Sequence, residues 1–304
     1  MKKLLLLGWL VTLLFSCSEG EQKPDNRDTP TKGTINISVD ETFKPVISEQ
    51  IKIFESSFPG AKIVASYKPE VECFKDLQAD STRMIIVARG LDSEEIKFFK
   101  SKLKYQPTFG ILAYDAVSMI VHADSKDTVF TKQDVARLLT GTSYQNKTVV
   151  LDGTNATSTV RYLMDSVLKG KPFGKNVKAV NGSKEVVDLV SSRPDAIGFV
   201  GSSWVGNQQD PEQQAYLDKI KFALLECWLC KDTGVYAKPS QATIQYGQYP
   251  FRRPLYYILK ENRDGLGTGL MNFMTFERGQ LIFRRAYLAP AKMNFQQRSG
   301  LIKE

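Results

Sequence analysis

Two strand-to-helix turns carry the residue types best suited to holding a small charged ligand. The first reads Ser38-Val39-Asp40-Glu41-Thr42, the second Asp152-Gly153-Thr154-Asn155-Ala156-Thr157-Ser158-Thr159. In open α/β sheets, ligands bind beyond the carboxyl ends of the strands, where such turns lie. The second turn is dense in hydroxyls and runs into a helix. Its free backbone N–H groups, its hydroxyls and the helix dipole together form a cradle for an anion. Taken alone, ordinary N-capping by Thr157 or Asn155 is the commoner meaning of such a turn.

Other candidate chemistry is thinner. A single histidine, His122, in 304 residues excludes multi-histidine zinc or iron sites, and no metal or cofactor is expected. A Ser-His-Asp triad would have to use that one residue, which reads better as a polar strand end. No nucleophile elbow occurs and no serine stands beside an obvious base, so no catalytic residue is expected. Cys227-Trp228-Leu229-Cys230 is a CxxC motif with no second ligand pair for zinc. Structural or idle thiols are its first reading. A disulfide, within the motif or with Cys73, comes second, and redox catalysis third. Trp204, Trp228, Tyr256 and Tyr257 read as packing aromatics rather than a sugar platform.

The elements that must position the turns alternate between strand and helix. Thr34–Ser38 alternates polar and apolar residues, and a helical stripe of Ile47, Ile51 and Phe54 follows, stopped by Pro59-Gly60. Lys62–Ser66, Met84–Ala88, Val117–Val121, Thr148–Leu151, Ala196–Val200 and Leu255–Leu259 read as further strands, several with the continuous apolar run of a buried parallel strand. Helices are expected after Asp92, with acids in its first turn, and after Thr131, where Thr131 and Asp134 resemble a capping box and Gly141 ends the helix. Val160, Leu163, Met164, Val167 and Leu168 form a full helical stripe behind the second turn. Such alternation argues for parallel α/β sheets, and the length for two domains.

The N-terminus reads as a targeting signal. Lys2-Lys3 precedes the uncharged apolar run Leu4–Phe15, and Leu14-Phe15-Ser16-Cys17 resembles the lipobox of bacterial lipoproteins. Residues 1–17 are thus expected to be a signal ending at Cys17, the lipidated residue. Residues 18–33 lack aliphatic side chains and read as a flexible tether. The formal charge is +8, about +6 without Lys2 and Lys3, which suits an anionic ligand or an acidic surface. The basic residues are scattered and no nucleic-acid motif appears, so nucleic acid is not an expected partner.

Several segments together resemble the periplasmic phosphate-binding proteins of bacterial phosphate ABC transporters, within the type 2 solute-binding superfamily. Tyr114–Val121 followed by Phe130–Gly141 is similar to the family's mid-chain strand and capped helix. Met84–Leu91, with Ala88-Arg89, is similar to its "apolar strand, then Ser-Arg" element. Thr157-Ser158-Thr159 lies where the family has Ser-Gly-Thr. Ala196-Ile-Gly-Phe-Val-Gly201 resembles its "Ala-Ile-Gly-Tyr" strand. Tyr249-Pro-Phe-Arg-Arg-Pro-Leu-Tyr256 resembles its "Tyr-Pro-x-x-Arg-Pro-Leu" return strand, and Glu277-Arg-Gly-Gln280 its "Glu-Gly-Gln". The likeness spans residues 34–292. It implies an α/β, two-lobed type 2 periplasmic binding protein fold with a ligand cleft between lobes. One lobe would be 34–115 plus 249–304 and the other 116–248. The implied role is an exported, lipid-anchored protein facing the periplasm, a monomer, that hands inorganic phosphate or a similar oxyanion to an ABC transporter permease.

The departures from the family pattern bear on the ligand. Gly153 stands where members carry an Arg, Ser158 replaces a Gly, and Arg83 occupies an acidic place. Asp40 and Glu41 replace small hydroxyl residues. A carboxylate beside phosphate must accept one of its protons, and such an acceptor rejects fully ionised sulfate. The expected ligand set is therefore Asp40, Glu41, Thr42, Asn155, Thr157, Ser158 and Thr159, with Arg83, Arg89 or Arg161 as the countercharge. The alternatives are another small oxyanion or acidic metabolite on the same fold, or a non-transport interaction protein with a degraded pocket.

Overall fold

Strands that are apolar on both faces and helices that are apolar on one give this chain its layers. The computed structural model describes residues 28–144, 146–153 and 157–292. β1 (Gly33–Asp40) ends in a single 3-10 turn, Glu41–Phe43, and leads into α1 (Lys44–Ser57). Pro45 opens α1, where its missing N–H does no harm, and Val46, Ile47, Ile51 and Phe54 face inward. β2 (Ala61–Lys68), α2 (Glu70–Gln78), β3 (Thr82–Val87) and α3 (Ser93–Leu103) follow. Asp92 and Glu95 form a capping box at the start of α3. β4 (Thr108–His122) is the longest strand, with β5 (Val129–Phe130) and α4 (Lys132–Thr140) after it. Thr131 and Asp134 form the expected capping box of α4, and Gly141, at φ 69°, ends it in the left-handed region.

The chain continues through β6 (Thr148–Leu151), α5 (Ser158–Leu163), β7 (Val177–Ala179), α6 (Ser183–Ser192) and β8 (Ala196–Gly201). Then come α7 (Pro211–Leu217), β9 (Ile220–Phe222), β10 (Leu224–Glu226), β11 (Tyr236–Ala237) and α8 (Gln241–Gln245). β12 (Arg252–Leu259), α9 (Leu266–Thr275), α10 (Glu277–Arg285) and β13 (Ala289–Pro290) complete it.

The main sheet runs β2-β1-β3-β12-β4-β8-β6-β7, with β13 and β9 also on β4. β1 is parallel to β2 and β3, and β6 is parallel to β7 and β8. β12 returns antiparallel between β3 and β4. β4 serves both halves. Its residues up to Ala116 pair with β12, and Val117–Val121 pair with β8. Helices cover both faces of each half. In the first half, Ile37, Phe43, Phe54, Met84 and Phe283 share one core, and Cys73, Leu77, Ile85 and Phe99 another. In the second half, Met119, Leu139, Leu163, Phe199 and Phe251 form one core, and Ile120, Val150, Val186 and Ile220 the other. The result is a two-lobed α/β architecture, with β4 and the entry to β12 crossing between lobes.

The expected tether, 18–33, is corrected at its end. Asp28 is packed against the first lobe, where it accepts from Arg83 Nη1 at 2.9 Å, Arg263 Nη2 at 2.7 Å and the Leu266 N–H at 2.6 Å. Polar composition hid this because the contacts are ionic and long-range. Residues 18–27 and Cys17 lie outside the described residues. No helix among the described residues is long and apolar enough to cross a membrane. Cys227 and Cys230 are joined in a disulfide and Cys73 is free and buried, which corrects the order of the thiol readings. Both disulfide cysteines belong to one short loop after β10, so a local closure was available. Trp228 within that loop packs on Phe251, with Lys132 over its ring.

Candidate ligand-binding site

The two turns meet where the lobes face each other. Asp40 ends β1 and caps the 3-10 turn. Its Oδ1 accepts from the Thr42 N–H and the Thr42 hydroxyl, each at 3.0 Å. Its Oδ2 has no hydrogen-bond partner among the described residues, although the side chain is wholly buried. Burial and the nearby Glu70 carboxylate push Asp40 up to about 7, against the pull of Arg253. From the other lobe, Thr157 caps α5 by accepting from the Val160 N–H at 3.3 Å, while its hydroxyl donates to Asp152 Oδ1 at 2.8 Å. Burial also raises Asp152. Ser158 and Thr159, the first residues of α5, are fully buried. Thr42 Oγ1 and Ser158 Oγ lie 3.3 Å apart across the lobe boundary.

The positive charge comes from Arg253 on β12. Its Nη1 donates to Ser158 Oγ at 2.8 Å and lies 3.5 Å from Thr159 Oγ1. Its Nε donates to Asp115 Oδ2 at 3.0 Å, and Nη2 is 2.9 Å from the same oxygen without a well-directed hydrogen bond. The guanidinium also sits over the Phe43 ring. Asp115 is on β4, and its second oxygen accepts from the Ser202 N–H at 3.1 Å. Gly201 lets these groups approach. A Cβ there would lie 3.0 Å from the Thr42 carbonyl oxygen and 3.1 Å from Arg253 Nη2.

Two further contacts cross between lobes. Glu41 Oε1 accepts from the Ser183 N–H at 2.9 Å and its hydroxyl at 3.0 Å, placing a carboxylate at the start of α6. Burial and the neighbouring Asp152 push Glu41 up to about 7. Glu70, at the start of α2, accepts from Arg161 Nε at 2.6 Å and Nη2 at 3.2 Å, and from the Ala88 N–H at 2.9 Å.

The structure thus brings together Asp40, Thr42, Ser158 and Thr159 around Arg253, with Glu41 and Thr157 at the edges. Asn155 lies outside the described residues. The expected countercharges are corrected. Arg83 is a bulge residue near the start of β3, bound to Asp28 at 2.9 Å and Glu261 at 3.1 Å. It aligns with Asn36–Ile37 of β1, about 10 Å along the strand from Asp40. Arg89 is held bidentately by Glu95, at 2.8 Å to each oxygen, and stacks on Phe74. Arg161 is committed to Glu70. Sequence reasoning missed Arg253 and Asp115, although one signal was present. Arg253, Leu255 and Tyr257 share the buried face of β12, and an arginine in phase with a strand's apolar residues must find a buried partner.

Comparisons with known proteins agree with this architecture. The family model that matches, described as a PBP superfamily domain, covers residues 25–278. Phosphate-binding protein PstS of Pseudomonas aeruginosa is 27% identical over 68% of this chain and 68% of its own. Phosphate-binding protein PstS of Staphylococcus epidermidis is 23% identical over 100% of this chain and 94% of its own. Among solved structures, a substrate-binding protein with bound phosphate from Clostridium perfringens superposes with a TM-score of 0.70 at 19% identity, over 86% of this chain and 100% of that one. An ABC-type phosphate transport receptor from Vibrio cholerae gives 0.61 at 16% identity, over 84% and 99%. With a family match over most of its length and two lobes closing on a buried polar centre, this chain belongs to the PBP superfamily.

Proposed function

We propose that this protein is a solute-binding protein that captures inorganic phosphate between its lobes for an ABC transporter. The observation that carries the reading is the buried cluster of Thr42, Ser158 and Thr159 hydroxyls around the Arg253 guanidinium, with Asp40 Oδ2 as an unsatisfied acceptor beside it. Donors drawn from both lobes suit an oxyanion, and the acceptor suits one that keeps a proton. The PstS relatives and the phosphate-bound structural neighbour support the same ligand. We read the lobes as 34–115 plus 249–304 and 116–248, a monomer held to a membrane by lipid on Cys17 and facing the periplasm. Titration calorimetry on phosphate-free protein tests the ligand. Phosphate is expected to bind and sulfate to bind at least tenfold more weakly.

A second reading draws on two contacts. Thr42 and Ser158 already touch across the lobes, and Arg253 already bonds Ser158, so the donors satisfy one another. A non-transport interaction protein on this scaffold would show no heat with phosphate at millimolar concentration, and that result would overturn the transport reading. For the anchor, a fatty-acid analogue fed to cells should label the wild type and not Cys17→Ala.

A further inference from the structure

The chain meets the first lobe at a fixed point, far along β1 from the cleft. Asp28 is held there by Arg83, Arg263 and the Leu266 N–H. Two residues on, the Pro30 backbone lies so close to α9 that a Cβ on Gly269 would collide with the Pro30 carbonyl. Cys17 stands eleven residues before Asp28, and eleven residues span at most about 40 Å. A lipid on Cys17 therefore keeps this end of the lobe near a bilayer, whatever path the intervening chain takes.

The surface at that point is apolar with a basic rim. Pro30 and Thr31 form one wall of a groove of about 380 Å3, and Phe58, Phe273 and Phe276 are among its other walls. Phe276 is 63% exposed at the junction of α9 and α10, and Leu281 on α10 is 44% exposed. Lys32, Arg278, Arg285 and Lys292 surround them. All four are exposed, and none is ion-paired among the described residues. Lys292 sits over the Phe276 ring at 5.8 Å. Arg278, Leu281 and Arg285 recur at i, i+3 and i+7, which puts them on one face of α10. Glu277 is the exposed acid beside them. An exposed phenyl ring alone would mean little. A ring rimmed by free cations suits the headgroup layer of an anionic bilayer, where the apolar part enters and the cations stay at the phosphates.

We propose that this end of the first lobe, centred on Phe276, seats on an anionic lipid bilayer, with Phe276 at the boundary of headgroups and acyl chains and Arg278 and Lys292 at the lipid phosphates. The proposal takes from the anchor reading above only which surface lies within reach. The seat itself needs no lipid on the protein.

Flotation of the mature chain from residue 17, made with Cys17→Ala so that it carries no lipid, tests this on vesicles of phosphatidylcholine alone or mixed with phosphatidylglycerol. The chain should bind the mixed vesicles, bind phosphatidylcholine at least tenfold more weakly, and be released by salt. Phe276→Ser should weaken binding roughly tenfold. Arg278→Glu, which changes two charges, should weaken it roughly twentyfold. Neither change harms the helix. Phe276 is the N-cap of α10 without a capping side chain, which serine supplies, and a glutamate in the first turn suits the helix dipole. Lys178→Glu, an exposed cation on β7 of the other lobe, alters net charge equally and should leave binding within about twofold. Equal losses in Lys178→Glu and Arg278→Glu would overturn the proposal in favour of net charge. A doubled mass by light scattering without vesicles, lost in Phe276→Ser, would overturn it in favour of a second copy on this face. An unlipidated chain that ignores both vesicles, while a fatty-acid analogue still labels wild type, would overturn the seat and leave the anchor. Flotation as expected with no label on Cys17 would support the seat and overturn the anchor.

Discussion

Replacing Arg253 by Met separates what this residue does for the fold from what it does for the ligand. Arg253 and Asp115 are 2% and 0% exposed, so neither charge is screened by solvent. Removing the guanidinium leaves Asp115 buried and uncompensated, which destabilises a protein by about 3–5 kcal/mol. Asp115 is already raised by burial, and Arg253 pulls it down. Without Arg253 it rises further, so the folded form binds a proton more tightly than the unfolded chain does. The loss is then full at high pH and is relieved as pH falls through the raised folded value. Adding Asp115→Asn removes the stranded charge and keeps an acceptor for the Ser202 N–H. The double variant should recover to within about 1–2 kcal/mol of wild type. Urea unfolding at pH 8 and pH 5.5 reads stability, and phosphate calorimetry reads binding. Affinity should be lost in both variants, because Ser158 and the anion have lost their cation. Equal urea midpoints for single and double variants, or a double variant that regains phosphate binding, would refute the argument.

Three further outcomes follow from named contacts. Gly201→Ala places a Cβ 3.0 Å from the Thr42 carbonyl oxygen, so the lobes must part slightly; phosphate affinity should fall about tenfold and stability by about 1–3 kcal/mol, read by calorimetry and urea unfolding. Arg161→Gln removes the cross-lobe bridge to Glu70; because Arg161 is 33% exposed, the effect should be only about 1–2 kcal/mol, seen as a roughly tenfold weaker Kd and a larger radius of gyration with phosphate present. Burial pushes Asp28 up, but Arg83, the Leu266 N–H and Arg263 outweigh it and hold it well below the usual carboxylate range. Its stabilisation is therefore fully present above pH 4 and lost progressively as pH falls toward the depressed folded value, so Asp28→Ala should cost about 2–3 kcal/mol at pH 7 and clearly less at pH 2, by thermal unfolding.

The local elements of this protein are written in its sequence. The capping boxes at Asp92 and Thr131, the glycine stop at Gly141 and the apolar runs of β3, β4 and β8 are each set by residues within a few positions of one another. The two turns that meet between the lobes were legible for the same reason, since the end of a strand and the start of a helix define them. The fold sets Asp40 and Thr42 of the first turn against Ser158 of the second, with Thr159 next to it. The countercharge was not legible. Arg83, Arg89 and Arg161 lie near the turns in the chain or the sheet, yet acids at Asp28, Glu95 and Glu70 claim them. Arg253 reaches the site only because β12 returns antiparallel from the far end of the second lobe and lies between β3 and β4. Its partners Asp115 and Ser158 are separated from it by 138 and 95 residues. A sequence specifies which side chains are charged and which local turns they sit beside. Which charge neutralises which is decided when strands distant in the chain pair, because a buried charge must be matched by whatever the fold brings within hydrogen-bond reach.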